Sequence, residues 1–214
     1  MEFSGWPSSA VDFYRGLEVD NSKAYFQANK AVYDEAVVGP AKALLAEFEP
    51  RFGPGKVFRP NRDIRFSPDK SPYKTTLGVV IGDGGFVHFD AHELMVGGGL
   101  YGMGPTQLAA YRAAVDAPAT GLELEAIVAD ARAAGFEPHA AEALATVPRG
   151  FDKAHPRAEL LRLKGIALMR HWSIDTPWIS TPEAFDHIAA ALDDVAPLRD
   201  WLARNIPTEA RPSR

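Results

Sequence analysis

The stretch FRPNRDIRFSPDKSPYKT, Phe58 to Thr75, carries five basic side chains (Arg59, Arg62, Arg65, Lys70 and Lys74) and two acidic ones (Asp63 and Asp69). Guanidinium forks present planar pairs of donors that match carboxylate or phosphate oxygens, and lysine adds a compact point charge. Two chemistries fit these residue types at this density. One is a site for a small anionic ligand: Arg62, Arg65, Lys70 and Lys74 hold a phosphate or carboxylate group, and Tyr73 donates a hydrogen bond or moves a proton. The other is a structural brace in which these charges pair with one another, leaving function to a contact with another protein. Along an extended Arg62–Phe66 backbone, alternate residues face opposite ways. Asp63 and Arg65 then share a face and pair. Arg62 shares the other face with Ile64 and Phe66 and has no acid in its own strand. Arg62 is therefore the expected ligand contact, and Arg65 the expected structural residue, in a buried pair. The steps Ser67-Pro68 and Ser71-Pro72 hold their neighbours extended, which predicts a stiff ribbon.

The charge of this stretch stands out against the rest of the chain. Over 214 residues the net charge is −5, yet residues 51–75 hold seven bases and two acids, net +5, leaving −10 elsewhere. That balance argues against nucleic acid, which selects a broadly basic surface, and for a local anion site. Acids elsewhere, such as Glu18, Asp34 or Glu35, can pair with the surplus bases.

Other motifs carry less. His88, Asp90 and His92 recur at two-residue spacing and on one continuous strand can ligate a metal, but a turn across residues 90–93 breaks that alignment, so no metal is expected. Gly97-x-Gly99-x-x-Gly102 has the spacing of a dinucleotide fingerprint without the parallel βαβ setting it requires. These glycines predict a bulge or close backbone packing, with room for a ligand as the lesser reading. Asp152 and His155 are candidate caps near a helix start, and no serine stands in a GxSxG elbow. The chain has no cysteine, which removes disulfides and thiolate chemistry and suits a reducing, cytoplasmic setting. No apolar run reaches the roughly 20 residues that span a bilayer, and the N-terminus does not read as a secretory signal. No cofactor, reaction or protein partner is read from these residues.

The elements that position these side chains follow from periodicity. Val11, Tyr14 and Leu17 predict a first short helix. Asp20-Asn21-Ser22 caps a second, with Phe26, Tyr33, Val37, Ala41, Leu44 and Phe48 as its apolar stripe and a kink or break at Gly39-Pro40. Strands are expected near 56–59 and 64–66 and over 75–82, 86–90 and 93–99, with turns at 83–85 and 90–93. Helices return at Pro105, over about 121–134, at Pro156 (AHPRAELLRLKGIALMR) and after Thr181-Pro182, the last of them. Helices, then a sheet, then helices predict an α+β fold, a mostly antiparallel sheet packed against N- and C-terminal helices, in one domain over 1–214.

The pattern Arg59-x-x-Arg62-Asp63-x-Arg65-Phe66-x-x-x-Lys70-x-x-Tyr73 resembles the signature of a widespread bacterial family, also found in larger fungal proteins, the domain of unknown function 2461 family. NSKAYFQANKAVYDEAVVGPAKALL is similar to its N-terminal helix, GGGLYGMGPTQLAAYRAAV to its glycine stretch and following helix, and PRGFDKAHPRAELLRLK to a later segment. The resemblance covers roughly residues 8–204. It implies membership and carries no activity with it.

Overall fold

The computed structural model describes residues 2–63, 65 and 69–208. Among them are strands β1 (Gly55–Val57), β2 (Leu77–Ile81), β3 (Gly85–Phe89), β4 (Glu93–Leu100), β5 (Glu137–His139) and β6 (Ile166–Ser173). They form one antiparallel sheet in the order β1-β2-β3-β4-β6-β5, and helices precede and follow it in the chain, so the fold is α+β. The chain groups into two compact units, Met1–Val96 with His171–Ala191, and Gly97–Arg170 with Leu192–Arg214.

The first unit begins with α1 (Ser8–Val19), whose buried face is Ala10, Phe13, Tyr14 and Leu17. Ser22 caps α2 (Lys23–Ala28): its hydroxyl accepts the Tyr25 N–H at 3.1 Å, satisfying a donor that has no partner inside the helix. A single turn, α3 (Lys30–Val32), runs into a π-helical stretch, Tyr33–Val38, and then α4 (Gly39–Phe52). The expected disturbance at Pro40 takes this form. Proline has no N–H to give to the preceding turn, so the ladder widens before it and Pro40 opens the next helix. All six residues of the predicted stripe are buried. Gly53, at φ 85°, ends α4 in the left-handed region that glycine adopts freely.

Strand β2 pairs with β1 and with β3, with Val80 opposite Lys56 and Val79 opposite Val87. The β2–β3 turn uses Gly82 and Gly84 at φ 50° and 92°, in agreement with the hairpin signal. Trp6 stacks on Phe89 at 5.1 Å, and Phe48 meets Phe185 at 4.7 Å. These contacts join the N-terminal segment to β3, and α4 to α8 (Ala184–Asp194).

The second unit contains α5 (Pro105–Asp116), α6 (Pro118–Ala133), α7 (Ala158–Arg162) and α9 (Ala196–Asn205). The sequence reading differs here in two ways. The helix expected from Pro156 is only the short α7, and Ile166–Arg170 begins β6 instead. Its run of buried residues, Ile166 to Met169, is too short for its periodicity to separate strand from helix. The choice comes from Gly97 and Gly99 in β4: a Cβ on either would strike the backbone of Leu168 or Ile166, so the two strands approach where only glycine fits. This is the close packing expected of those glycines. The second difference is α9, a further helix after the one read as last, opened by Pro197 near its first position. Among the described residues, no helix is long and apolar enough to cross a membrane.

Candidate functional site

The basic loop is closed at its base by backbone pairing. Asn61 and Tyr73 form an antiparallel bridge, flanked by Arg62 N–H to Pro72 carbonyl at 3.0 Å and Lys74 N–H to Pro60 carbonyl at 2.8 Å. Asn21, just ahead of α2, clamps the returning limb. Its amide oxygen accepts the Tyr73 N–H and its amide nitrogen donates to the Tyr73 carbonyl, both at 3.1 Å. The Tyr73 ring is 6% exposed and lies flat on Phe26. Tyr73 therefore anchors the stem by its ring and backbone. The Lys74 ammonium sits over the Phe58 ring at 5.3 Å.

Above that stem Asp63, Arg65, Asp69 and Lys70 are exposed and Arg62 is half-buried. Arg65 pairs with Asp63, Nε to Oδ1 at 2.9 Å and Nη2 to Oδ2 at 2.7 Å, a two-pronged contact of the kind guanidinium favours. The pairing is as expected, but its setting is not: the side chains are 70% and 40% exposed, so this is a surface pair and not a buried one. Arg62 departs further from expectation. It pairs with Asp69, seven residues on, and does not stand without an acid. The loop turns back because Asp69 Oδ1 accepts the Ser71 N–H at 2.9 Å, which carries the returning limb past Arg62. The strand expected near Ile64–Phe66 falls, apart from Arg65, outside the described residues. Lys70 is exposed at the loop end. Two of the acids named as outside partners are engaged elsewhere: Glu18 with His92, and Asp34 with Lys30.

The electrostatics follow these contacts. Hydrogen bonds from the Arg65 side chain and backbone hold the Asp63 carboxyl well below its usual range. The Ser71 side chain and N–H, with Arg62 behind them, draw Asp69 down to about 2. Both carboxylates are thus held as anions against the guanidinium groups of Arg65 and Arg62. A recess of about 360 Å³ in the same unit, lined in part by Trp6, Asp12, Arg15, Asp175 and Ser180, includes none of the five residues Arg62, Arg65, Lys70, Tyr73 and Lys74.

A model of the family described as conserved hypothetical protein (DUF2461) matches residues 9–201, most of the chain. The chain belongs to the DUF2461 family. No match to the chain is found among curated proteins. Family membership accounts for the sequence likeness and leaves activity to be argued from the side chains.

A second group of titratable residues lies on β3, β4, β6 and the turn between β3 and β4. His88 Nε2 is 3.0 Å from Asp90 Oδ2, and His171 Nδ1 is 2.8 Å from Glu93 Oε2. The turn after β3 removes His92 from this group, as its position predicts, and sends its ring to Glu18 at 3.1 Å. The same turn brings in Glu93, which two-residue spacing could not identify. In the second unit, His155 and Arg157 are structural. The His155 Nδ1 accepts the Arg157 N–H at 3.0 Å, and its Nε2 faces Asp116 at 3.2 Å. Arg157, 8% exposed, donates to the Val115 and Asp116 carbonyls and pairs with Glu125. Asp152 caps the local turn through the Ala154 N–H.

Proposed function

We propose that this protein binds a small ligand bearing a phosphate or carboxylate group at the loop of Arg62, Arg65, Lys70 and Lys74, with Tyr73 as its anchor. The observation that supports this most is the contrast between stem and tip. The base is clamped by Asn21, Phe26 and the Asn61–Tyr73 bridge, whereas above it Asp63, Arg65 and Asp69 are exposed and Arg62 is half-buried. Exposed pairs of this kind contribute only about 0–1 kcal/mol, so an incoming oxyanion can exchange with Asp63 or Asp69 at little cost. Residues 58–75 still carry net +3 after both aspartates are counted, which favours an anion over the internal pairing alone. A cysteine-free chain suits a reducing compartment, and we assign the protein to the cytoplasm on that basis.

The second reading is a brace that orders the loop for contact with another protein. The Arg62–Asp69 and Arg65–Asp63 pairs favour it, because each arginine already has a carboxylate. A thermal-shift comparison separates the two. Inorganic phosphate or pyrophosphate raises the melting temperature of the wild type in the ligand reading, since a ligand of the folded state stabilises it by mass action. Arg62→Ala and Arg65→Ala melt near wild type without phosphate and lose that response. No response in the wild type, with both variants strongly destabilised, establishes the brace instead.

A further inference from the structure

We infer that His88, Asp90 and Glu93 form a binding site for a divalent transition-metal ion, separate from the basic loop. One ligand atom from each, an imidazole nitrogen and two carboxylate oxygens, lies within 4.8 Å of the others. His88 Nε2 and Asp90 Oδ2 are 3.0 Å apart, close to the roughly 3.3 Å between two ligands that each lie about 2.0 Å from a tetrahedral zinc.

The group is pre-set by the backbone. His88 stands on β3 and Glu93 opens β4, so two of the three ligands sit on sheet strands. Asp90 makes the turn between them. Its Oδ1 accepts the N–H groups of His92 at 2.7 Å and Glu93 at 2.9 Å, which fixes the carboxylate and turns Oδ2 toward His88. Glu93 is steadied in turn by His171, the kind of outer hydrogen bond that orients a metal-binding carboxylate.

Charge supplies the second, independent argument. The His88 and Asp90 side chains are 21% and 15% exposed, and that of Glu93 is 35% exposed. Among the described residues neither carboxylate meets an arginine or lysine; their ionic partners are imidazoles. Two partly buried carboxylates thus stand within reach of one another with no guanidinium or ammonium beside them among the described residues, and a dication held between them cancels their charge. One nitrogen and two oxygens suit zinc or manganese better than magnesium, which prefers an all-oxygen octahedron with several waters. Three protein ligands leave a coordination position for water or a ligand oxygen. This inference departs from the expectation of no metal drawn from the sequence, because the turn that takes His92 out puts Glu93 in.

The test is zinc titration of the chelator-treated full chain by calorimetry, with manganese and magnesium in parallel and circular dichroism to verify folding. The wild type takes up about one zinc per chain, and magnesium binds far more weakly. His88→Gln and Glu93→Gln each lower zinc affinity at least about 10-fold, and His171→Gln lowers it by about 10-fold through Glu93. His92→Gln binds as the wild type does. Cobalt in place of zinc gives visible absorption that changes in His88→Gln. The site is overturned if folded wild type takes up no stoichiometric zinc, if His88→Gln and Glu93→Gln bind it unchanged, or if His92→Gln loses as much affinity as they do.

Discussion

Tyr73 lies flat on Phe26, ring centroids 4.0 Å apart and planes 9° from parallel, and this stack ties the end of the basic loop to α2. Asn21 completes the joint by bonding both backbone groups of Tyr73. The loop is therefore held by its root.

The stack predicts that Tyr73→Ala costs about 3–5 kcal/mol, as loss of a large buried aromatic does. Tyr73→Phe keeps the stack and melts near wild type, with its response to phosphate intact. Asn21→Ala leaves two backbone groups without their partners and costs about 1–3 kcal/mol. Chemical denaturation of the three variants checks these values. Loss of the phosphate response in a stable Tyr73→Phe protein would return the hydroxyl to a direct role.

Asp69 predicts a pH signature in the loop. Its carboxyl titrates at about 2 against an ordinary 3.8, held down by Ser71 first and Arg62 second. Because the folded value is depressed, the contribution of this carboxylate to loop closure is complete above the ordinary value and is lost as pH falls through about 2. A carboxyl-detected NMR titration is expected to show that midpoint. Ser71→Ala is expected to raise it more than Arg62→Ala does; the reverse order would make the guanidinium the dominant partner.

Gly97 and Gly99 predict a steric limit in the second unit. A Cβ at Gly97 meets the Leu168 carbonyl, and one at Gly99 meets that of Ile166, with Gly99 also at φ 137°. Either glycine-to-alanine change forces backbone apart and costs at least about 1–3 kcal/mol. Gly102→Ala meets only the Ala141 methyl at an ordinary 3.6 Å and serves as the control, expected to melt close to wild type. Equal melting temperatures across the three would refute close strand approach.

Arg157 predicts the cost of removing a buried charge. Its guanidinium supports the Val115 and Asp116 carbonyls and faces Glu125. Arg157→Ala leaves these groups short of donors and is expected to cost about 3 kcal/mol. Glu125→Gln is milder, because Glu125 is 37% exposed and water compensates. Urea unfolding of both variants gives the comparison.

Local chemistry determined much of this protein in advance. Ser22 caps a helix because a hydroxyl before an apolar stripe has an N–H to accept; Gly82 and Gly84 turn a hairpin because they take positive φ; Asp63 and Arg65 pair because they stand two residues apart. Those outcomes depend on near neighbours, and spacing records near neighbours. Distant partners decided the rest. Ile166–Arg170 became strand because β4 offers glycines where its backbone must approach. Arg62 found Asp69 only once the loop had folded back on its Asn61–Tyr73 base. Tyr73 became an anchor because Phe26, far away in sequence, presents a flat face. Glu93 and His171 joined His88 and Asp90 because sheet pairing and a turn, not sequence interval, set which side chains share a patch. Period and spacing describe one element at a time, whereas each of these choices minimised the free energy of two elements together.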